Sequence, residues 1–494
     1  MRFSLLALWL LLLVPPLYVM ASAKDPFRLP KLLLCEWLAL ASLVPLCWRL
    51  RHPEVVVAGA VVRWRDLWRP LAPRAVLPLL AVATVGLATT RHPFHVQQAL
   101  ADLWIGALCL AGWSLALPRQ RLEGLLRGLL WPAGLLALLG TLQFFGLQPF
   151  QFAVNATQHG ARFELTATAG NPGDLAAYLV LPCLIAQAML AGWGSGGVPD
   201  PNPGKRRSLR LALVLGVLVL SLSVLVLTQT LAALAALAAG SVVFWIGALP
   251  RRRVFETLRF AAAGALVAAV LVLAVGPLRH RAAEKAGQAL HGDWNAALSG
   301  RLDGWLAALW MLEQHPWAGV GQGAYRAEFV PAKLALRDRG VAFHSGQQQN
   351  FVNAHDELLE VAADCGLPGL LALGWGLWML AQALRAAGRG SRPAGRAPRG
   401  MPPVHPGRAA AGNGGSQPPL RGNLLPQLRR LGRPALRGGG PAVPEVVRAL
   451  AWGGTAALGV LCLTDFPFRV ALVAYPALLF LAWVFRRGAP EAGS

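Results

Sequence analysis

NAHDELLEVAADCGLPGLLALGW, residues 353–375, changes character halfway along. It opens with His355 and four acids, Asp356, Glu357, Glu360 and Asp364, and from Gly366 onward it is apolar. The apolar part continues to about residue 385, long enough for the helix of about 20 residues that crosses a bilayer. A dense polar cluster therefore stands directly before a membrane span, and fold and chemistry both have to account for it.

Much of the remaining chain repeats the apolar half. Of 494 residues, 55% are hydrophobic and 14% charged, against roughly 25% charged in soluble domains. Leu, Ala and Val form blocks of about 20 residues almost free of charge, which reads as an all-α polytopic membrane protein. The blocks do not alternate apolar with polar residues, which weighs against a β-barrel. Twelve spans are expected, at residues 3–21, 32–50, 73–90, 98–117, 126–146, 173–193, 210–228, 231–249, 260–278, 367–385, 447–465 and 470–486. The first imitates a secretory signal, with Arg2, an apolar run and Ala-Ser-Ala at 21–23, but its length and the spans behind it favour a retained helix. Linkers such as WRLRHPE, LPRQRLEGLLR, GKRRSLR and LPRRRVFETLR are basic and alternate with linkers that lack this excess. Lys and Arg accumulate in cytoplasmic loops, so the basic set and both termini are expected inside.

The expected organisation follows. Residues 1–278 form a bundle of nine spans, 279–366 a helical loop on the outer face, and 367–385 the tenth span. Residues 386–446 are a disordered basic linker inside, and 447–494 hold the last two spans and a tail. The stretch from Arg385 through Arg448 holds twelve arginines and one acid, among Gly and Pro, a composition that attracts anionic lipid head groups. The net charge of +23 would suggest nucleic acid in a soluble protein. No aromatic residues interleave with the basic linker to stack on bases, so none is expected here. The six cysteines are scattered without a CxxC pair and read as small buried hydrophobes.

The outer loop is the outlier, with eight Lys or Arg, ten Asp or Glu and five of the ten histidines. A structureless loop of this length would be unusual. GRLDGWLAALWMLEQ, residues 300–314, reads as an amphipathic helix with Arg301, Trp305, Ala308, Leu309 and Leu312 on one stripe. GVGQGA follows as a tight turn; it is not a GxGxxG motif and no strand–helix unit surrounds it. Asn353 reads as an N-cap with Asp356 three residues on, which puts His355 in the first turn of a helix. His355 is then either a surface histidine or a base for a hydroxyl nucleophile. Arg301 either faces lipid head groups or binds phosphate as a planar fork, and Arg162 offers a second cation on the same face. Asn171, in TAGNPGD, caps the span behind it. No DxD, HExxH or paired-histidine spacing occurs, so no metal is expected.

Four stretches together resemble the bacterial O-antigen ligase and O-antigen polymerase superfamily. TATAGNPGDLAAYLVL resembles its Gly-Asn-Pro-Asn segment, with Gly173 in the last position. GRLDGWLAALWMLEQHPWAGVGQGAY resembles its Arg-x-x-x-Trp helix and His-Pro-x-x-Gly-x-Gly turn. NAHDELLEVAADCGLPGLL resembles its His-Asn-x-x-Leu helix, with Asp356 for Asn, and TDFPFRVALVAYPALLFLAW its last pair of spans. One feature departs: the Ser-Arg pair usual before a span is replaced by Thr230 and Leu231.

The resemblance implies a metal-independent, inverting glycosyltransferase without cofactor, in the bacterial inner membrane with its active face periplasmic. Its donor would be a glycan on undecaprenyl diphosphate and its acceptor lipid A core or another glycan, with membrane lipids around it. A ligase is implied first and a surface-polysaccharide polymerase second. A transporter or non-catalytic assembly factor stands against both, and featureless spans with polarity gathered in one loop disfavour it. The resemblance makes His355 the base and Arg301 the cation on the leaving diphosphate. Arg162, Arg279, Arg281, Asn171, Trp305 and His315 are the implied donor-binding residues, with Arg162, Arg279 and Arg281 the candidates to replace the missing Arg.

Overall fold

The computed structural model describes residues 2–20, 27–50, 55–57, 60–62, 70–147, 165–193, 203–248, 276–343, 351–389, 443–465 and 467–488. Among the described residues the regular structure is helical, apart from a short antiparallel hairpin of Val55–Val57 with Ala60–Val62. The helices are α1 (Arg2–Leu13), α2 (Arg28–Leu50), α3 (Leu71–Thr89), α4 (Pro93–Ala116), α5 (Arg119–Gly128), α6 (Leu130–Phe144), α7 (Pro172–Leu190), α8 (Pro203–Leu227) and α9 (Leu231–Ala248). The loop elements α10 (Gly276–Leu290), α11 (Trp294–Ala297), α12 (Arg301–Gln314) and α13 (Tyr325–Asp338) follow, and then α14 (Glu357–Arg389), α15 (Val443–Thr464), a 3₁₀ turn (Pro467–Arg469) and α16 (Ala471–Gly488).

Among the described residues, eight helical segments are long and apolar enough to cross a membrane: α3, α4, α5 with α6, α7, α8, α9, α14 and α15. Each coincides with an expected span. The first expected span does not keep its length. α1 stops at Leu13, because Pro15 and Pro16 cannot continue the hydrogen-bond ladder. At 1.5 Å per residue its twelve residues span roughly 18 Å, short of a bilayer core. Most of the span expected at 260–278, and most of the linker expected at 386–446, lie outside the described residues.

Packing follows from residue size. α7 is the central helix, with sixteen of its nineteen residues buried. α9 lies against α15 where Gly240 and Gly453 face each other. A Cβ on Gly240 would stand 2.8 Å from the Gly453 carbonyl, and one on Gly453 would stand 2.6 Å from that of Gly240. Apolar helices gain nothing from hiding Leu against Leu in lipid, so such close backbone approach is what holds them together.

The connections gather at two ends. At one, Glu123 receives Arg119 and Arg487, and the Arg127 guanidinium lies 5.6 Å from the Trp193 ring centroid. At the other, Arg28 forms a forked ion pair with Asp174 and Lys31 donates to the Thr168 carbonyl. That end also carries the α10–α13 subdomain. Its glycine turn is seated on the α3–α4 connection, where Thr90 Oγ1 donates to the Val320 carbonyl.

Candidate active site

The site grows from the way α14 begins. Helix α14 starts at Glu357, and Asp356 caps it, its Oδ1 accepting from Leu359 N at 3.0 Å. Asn353 is therefore not the cap, and His355 does not lie in the first helical turn. It precedes the cap with φ of +57°. A non-glycine residue holds this left-handed conformation at a cost, so its surroundings must enforce it. They do so on both sides. Ala354 N donates to Glu360 Oε2 at 3.1 Å. Ala354 also lies against Gly304 of α12, where an added Cβ would meet the Ala354 carbonyl at 3.1 Å. Gly304 thus lets the His355 strap lie down on α12, three residues past Arg301.

The strap leaves His355 partly open. Its side chain is 29% exposed, its ring stands edge-on to Phe351, and its Nδ1 lies 3.7 Å from Asp465 Oδ1. Asp465 belongs to the connection between α15 and α16. The same carboxylate acts on Arg301: burial pushes the Arg301 guanidinium below the usual arginine range, and Asp465 opposes that shift. Burial also lowers Arg281 on α10; Glu284 opposes it, and the charge of Arg301 adds to the fall. Arg301 thus acts electrostatically on Arg281, and Asp465 both acts on Arg301 and faces the His355 imidazole. A pair of guanidinium groups suits an anion with two phosphates, and the imidazole suits a proton.

Other expected site residues are placed less closely. Trp305 sits one turn along α12 from Arg301, with its indole Nε1 enclosed and no hydrogen-bond partner among the described residues. Arg279 is exposed at the start of α10. Asn171 is exposed and caps α7, accepting from Gly173 N at 2.7 Å. Three residues on, buried Asp174 holds the ion pair with Arg28 at 2.9 Å. His315 caps the opposite end of α12, roughly 20 Å along the axis from Arg301, and the structure does not bring it to His355. Arg162 lies outside the described residues. Thr230 is buried and Leu231 half-exposed at the start of α9.

The GVGQG turn works as a clasp. Gly319, Gly321 and Gly323 all have positive φ. A Cβ on Gly319 would meet the Asp364 backbone at 2.3 Å, and one on Gly321 would meet Thr90 at 2.8 Å. Val320 N and Gly321 N donate to the Ala363 and Asp364 carbonyls just before the kink at Gly366. The acids of residues 356–364 are engaged at the same junction. Asp356 is the cap, while Glu360 and Asp364 are buried and face Arg469, at 3.1 and 3.4 Å. Phe468 N donates to Glu357.

Asp465 and Arg469 are the residues that sequence reasoning missed. The signal was present on both sides. Glu357, Glu360 and Asp364 fall at i, i+3 and i+7, one stripe of a helix. Asp465 and Arg469 are the only charges between the last two spans.

Residues 216–374 match the family model described as O-antigen ligase. The match includes Arg281, Arg301, Trp305 and His355, and leaves Asp465 and Arg469 outside. No curated protein matches the chain.

Proposed function

From the match of residues 216–374 to the O-antigen ligase family model, we propose that this chain is a member of the O-antigen ligase and polymerase superfamily and moves a glycan from undecaprenyl diphosphate to an acceptor hydroxyl at the outer face of the bacterial inner membrane. The acceptor would be lipid A core or a similar glycan. The observation that carries this reading is the junction itself: His355 beside Asp465, whose charge also acts on the part-buried Arg301, directly before a span. A lipid-linked substrate keeps its chain in the bilayer and presents its reactive bond at the surface, which is where this junction stands.

The step balances without a metal or cofactor. Asp465 holds the Nδ1 side of His355, and Nε2 takes the proton of the acceptor hydroxyl. The 3.7 Å separation is longer than a hydrogen bond, and such contacts tighten when substrate is bound. The hydroxyl oxygen attacks the anomeric carbon, and the bond from that carbon to the diphosphate oxygen breaks. The electron pair leaves with undecaprenyl diphosphate, whose growing charge Arg301 and Arg281 stabilise as pre-placed cations. The proton on His355 passes to solvent, and one displacement inverts the anomeric centre. Trp305, Asn171 and Arg279 line the approach for the donor, and Arg162 belongs with them by sequence. The basic end of the bundle, with Arg119, Arg127 and Arg487, faces the cytoplasm.

The test is a glycan profile of a strain lacking the chain. Long polysaccharide stranded on the carrier and absent from the acceptor identifies a ligase. An acceptor bearing a single repeat unit identifies a polymerase. An unchanged profile for both carrier and acceptor contradicts the transferase reading.

A further inference from the structure

The connection between α15 and α16 carries two charges that point to different partners. Asp465 faces His355. Arg469 reaches Glu360 Oε1 at 3.1 Å and Asp364 Oδ2 at 3.4 Å, and these acids are 3% and 0% exposed. Each acid also holds backbone. Asp364 accepts from Gly323 N at 2.6 Å and Tyr325 N at 3.1 Å, which ties it to the glycine turn. Glu360 accepts from Ala354 N at 3.1 Å, and Ala354 is the residue before His355. These contacts close a ring. It runs from His355 to Asp465, along the turn to Arg469, across to Glu360, and back through Ala354 to His355.

The geometry points to Arg469 as a positioning residue for the transfer reaction: by holding Glu360 and Asp364, it sets the Asp465 carboxylate against the His355 imidazole. This rests on the transferase reading above. The physical reason is that roughly a hundred residues separate the two sides in sequence, so no short loop fixes their distance. The ion pairs do. Removing the guanidinium leaves buried carboxylates facing one another without a counter-charge. Glu360 then loosens its grip on Ala354, and the left-handed conformation at His355, disfavoured on its own, is no longer enforced.

The test uses the full chain in liposomes, a lipid-linked oligosaccharide donor and a glycan acceptor, with Arg469→Gln, Arg469→Lys, Asp465→Asn and the double variant Asp465→Asn/Arg469→Gln. A positioning role predicts that Arg469→Gln lowers kcat about tenfold or more while the donor KM stays within about twofold, and that Arg469→Lys restores much of the loss. The double variant should be no slower than Asp465→Asn alone, because the two residues act through one contact. A second readout does not depend on activity: Asp465→Cys should react faster with a water-soluble maleimide once Arg469→Gln is added. If Arg469→Gln does not yield folded protein, Glu360→Gln breaks the same link with the cation retained. Losses that multiply in the double variant, or a labelling rate that ignores Arg469, overturn the proposal. Wild-type protein that transfers nothing overturns the transferase reading instead, and labelling still decides whether Arg469 positions Asp465.

Discussion

At Arg301, burial and charge pull against each other. The guanidinium is drawn out of water at the first residue of α12, and the carboxylate that steadies it is the one beside His355. A planar fork with a fixed position can meet two phosphate oxygens at once, whereas lysine offers a single point charge on a flexible stem. Arg301→Lys should therefore lower kcat by about a hundredfold, the scale seen when one pre-placed donor is removed. Steady-state transfer rates with a lipid-linked donor measure this, and near-normal turnover would take Arg301 away from the diphosphate. At this scale the sequence was half legible. The resemblance pointed to Arg301 and His355, but Asn353 looked like a cap, and only the structure shows that Asp356 does that work. Asp465 and Arg469 went unread because their partners lie about a hundred residues away, and nothing local in TDFPFR names them.

Among the elements, close approach of glycines decides the packing. The α9–α15 contact leaves no room for a side chain at Gly240 or Gly453. Gly240→Leu should cost about 1–3 kcal/mol or more through overpacking and lower the Tm of the detergent-solubilised protein by several degrees. An unchanged Tm would mean that this helix pair is not tightly packed. The spans themselves were readable, since eight helical segments stand where uniform apolar composition put them. The first was over-extended, because hydropathy counts residues and ignores what Pro15 and Pro16 do to a helix. The glycine turn was correctly read as a turn. Its task, clasping the α3–α4 connection and the α14 kink together, depends on contacts that no single stretch contains.

For the whole molecule, the two ends differ in charge, and the site lies at the less basic one. Trp294, at the tip between α10 and α12, is 60% exposed, and the Arg119 side chain at the opposite end is 44% exposed. In cells with a permeabilised outer membrane, Trp294→Cys should react with an impermeant maleimide, and Arg119→Cys should react only after the inner membrane is opened. The reverse pattern would invert the proposed topology and put the site on the cytoplasmic side.

In the proposed reaction His355 takes the acceptor proton. The decisive experiment reconstitutes the purified chain in liposomes with a lipid-linked oligosaccharide and a glycan acceptor, and follows release of the carrier diphosphate. Wild type should release the carrier and glycosylate the acceptor, and folded His355→Ala should lose about a hundredfold or more, the range of a lost general base. Equal turnover by His355→Ala would exclude His355 as the base.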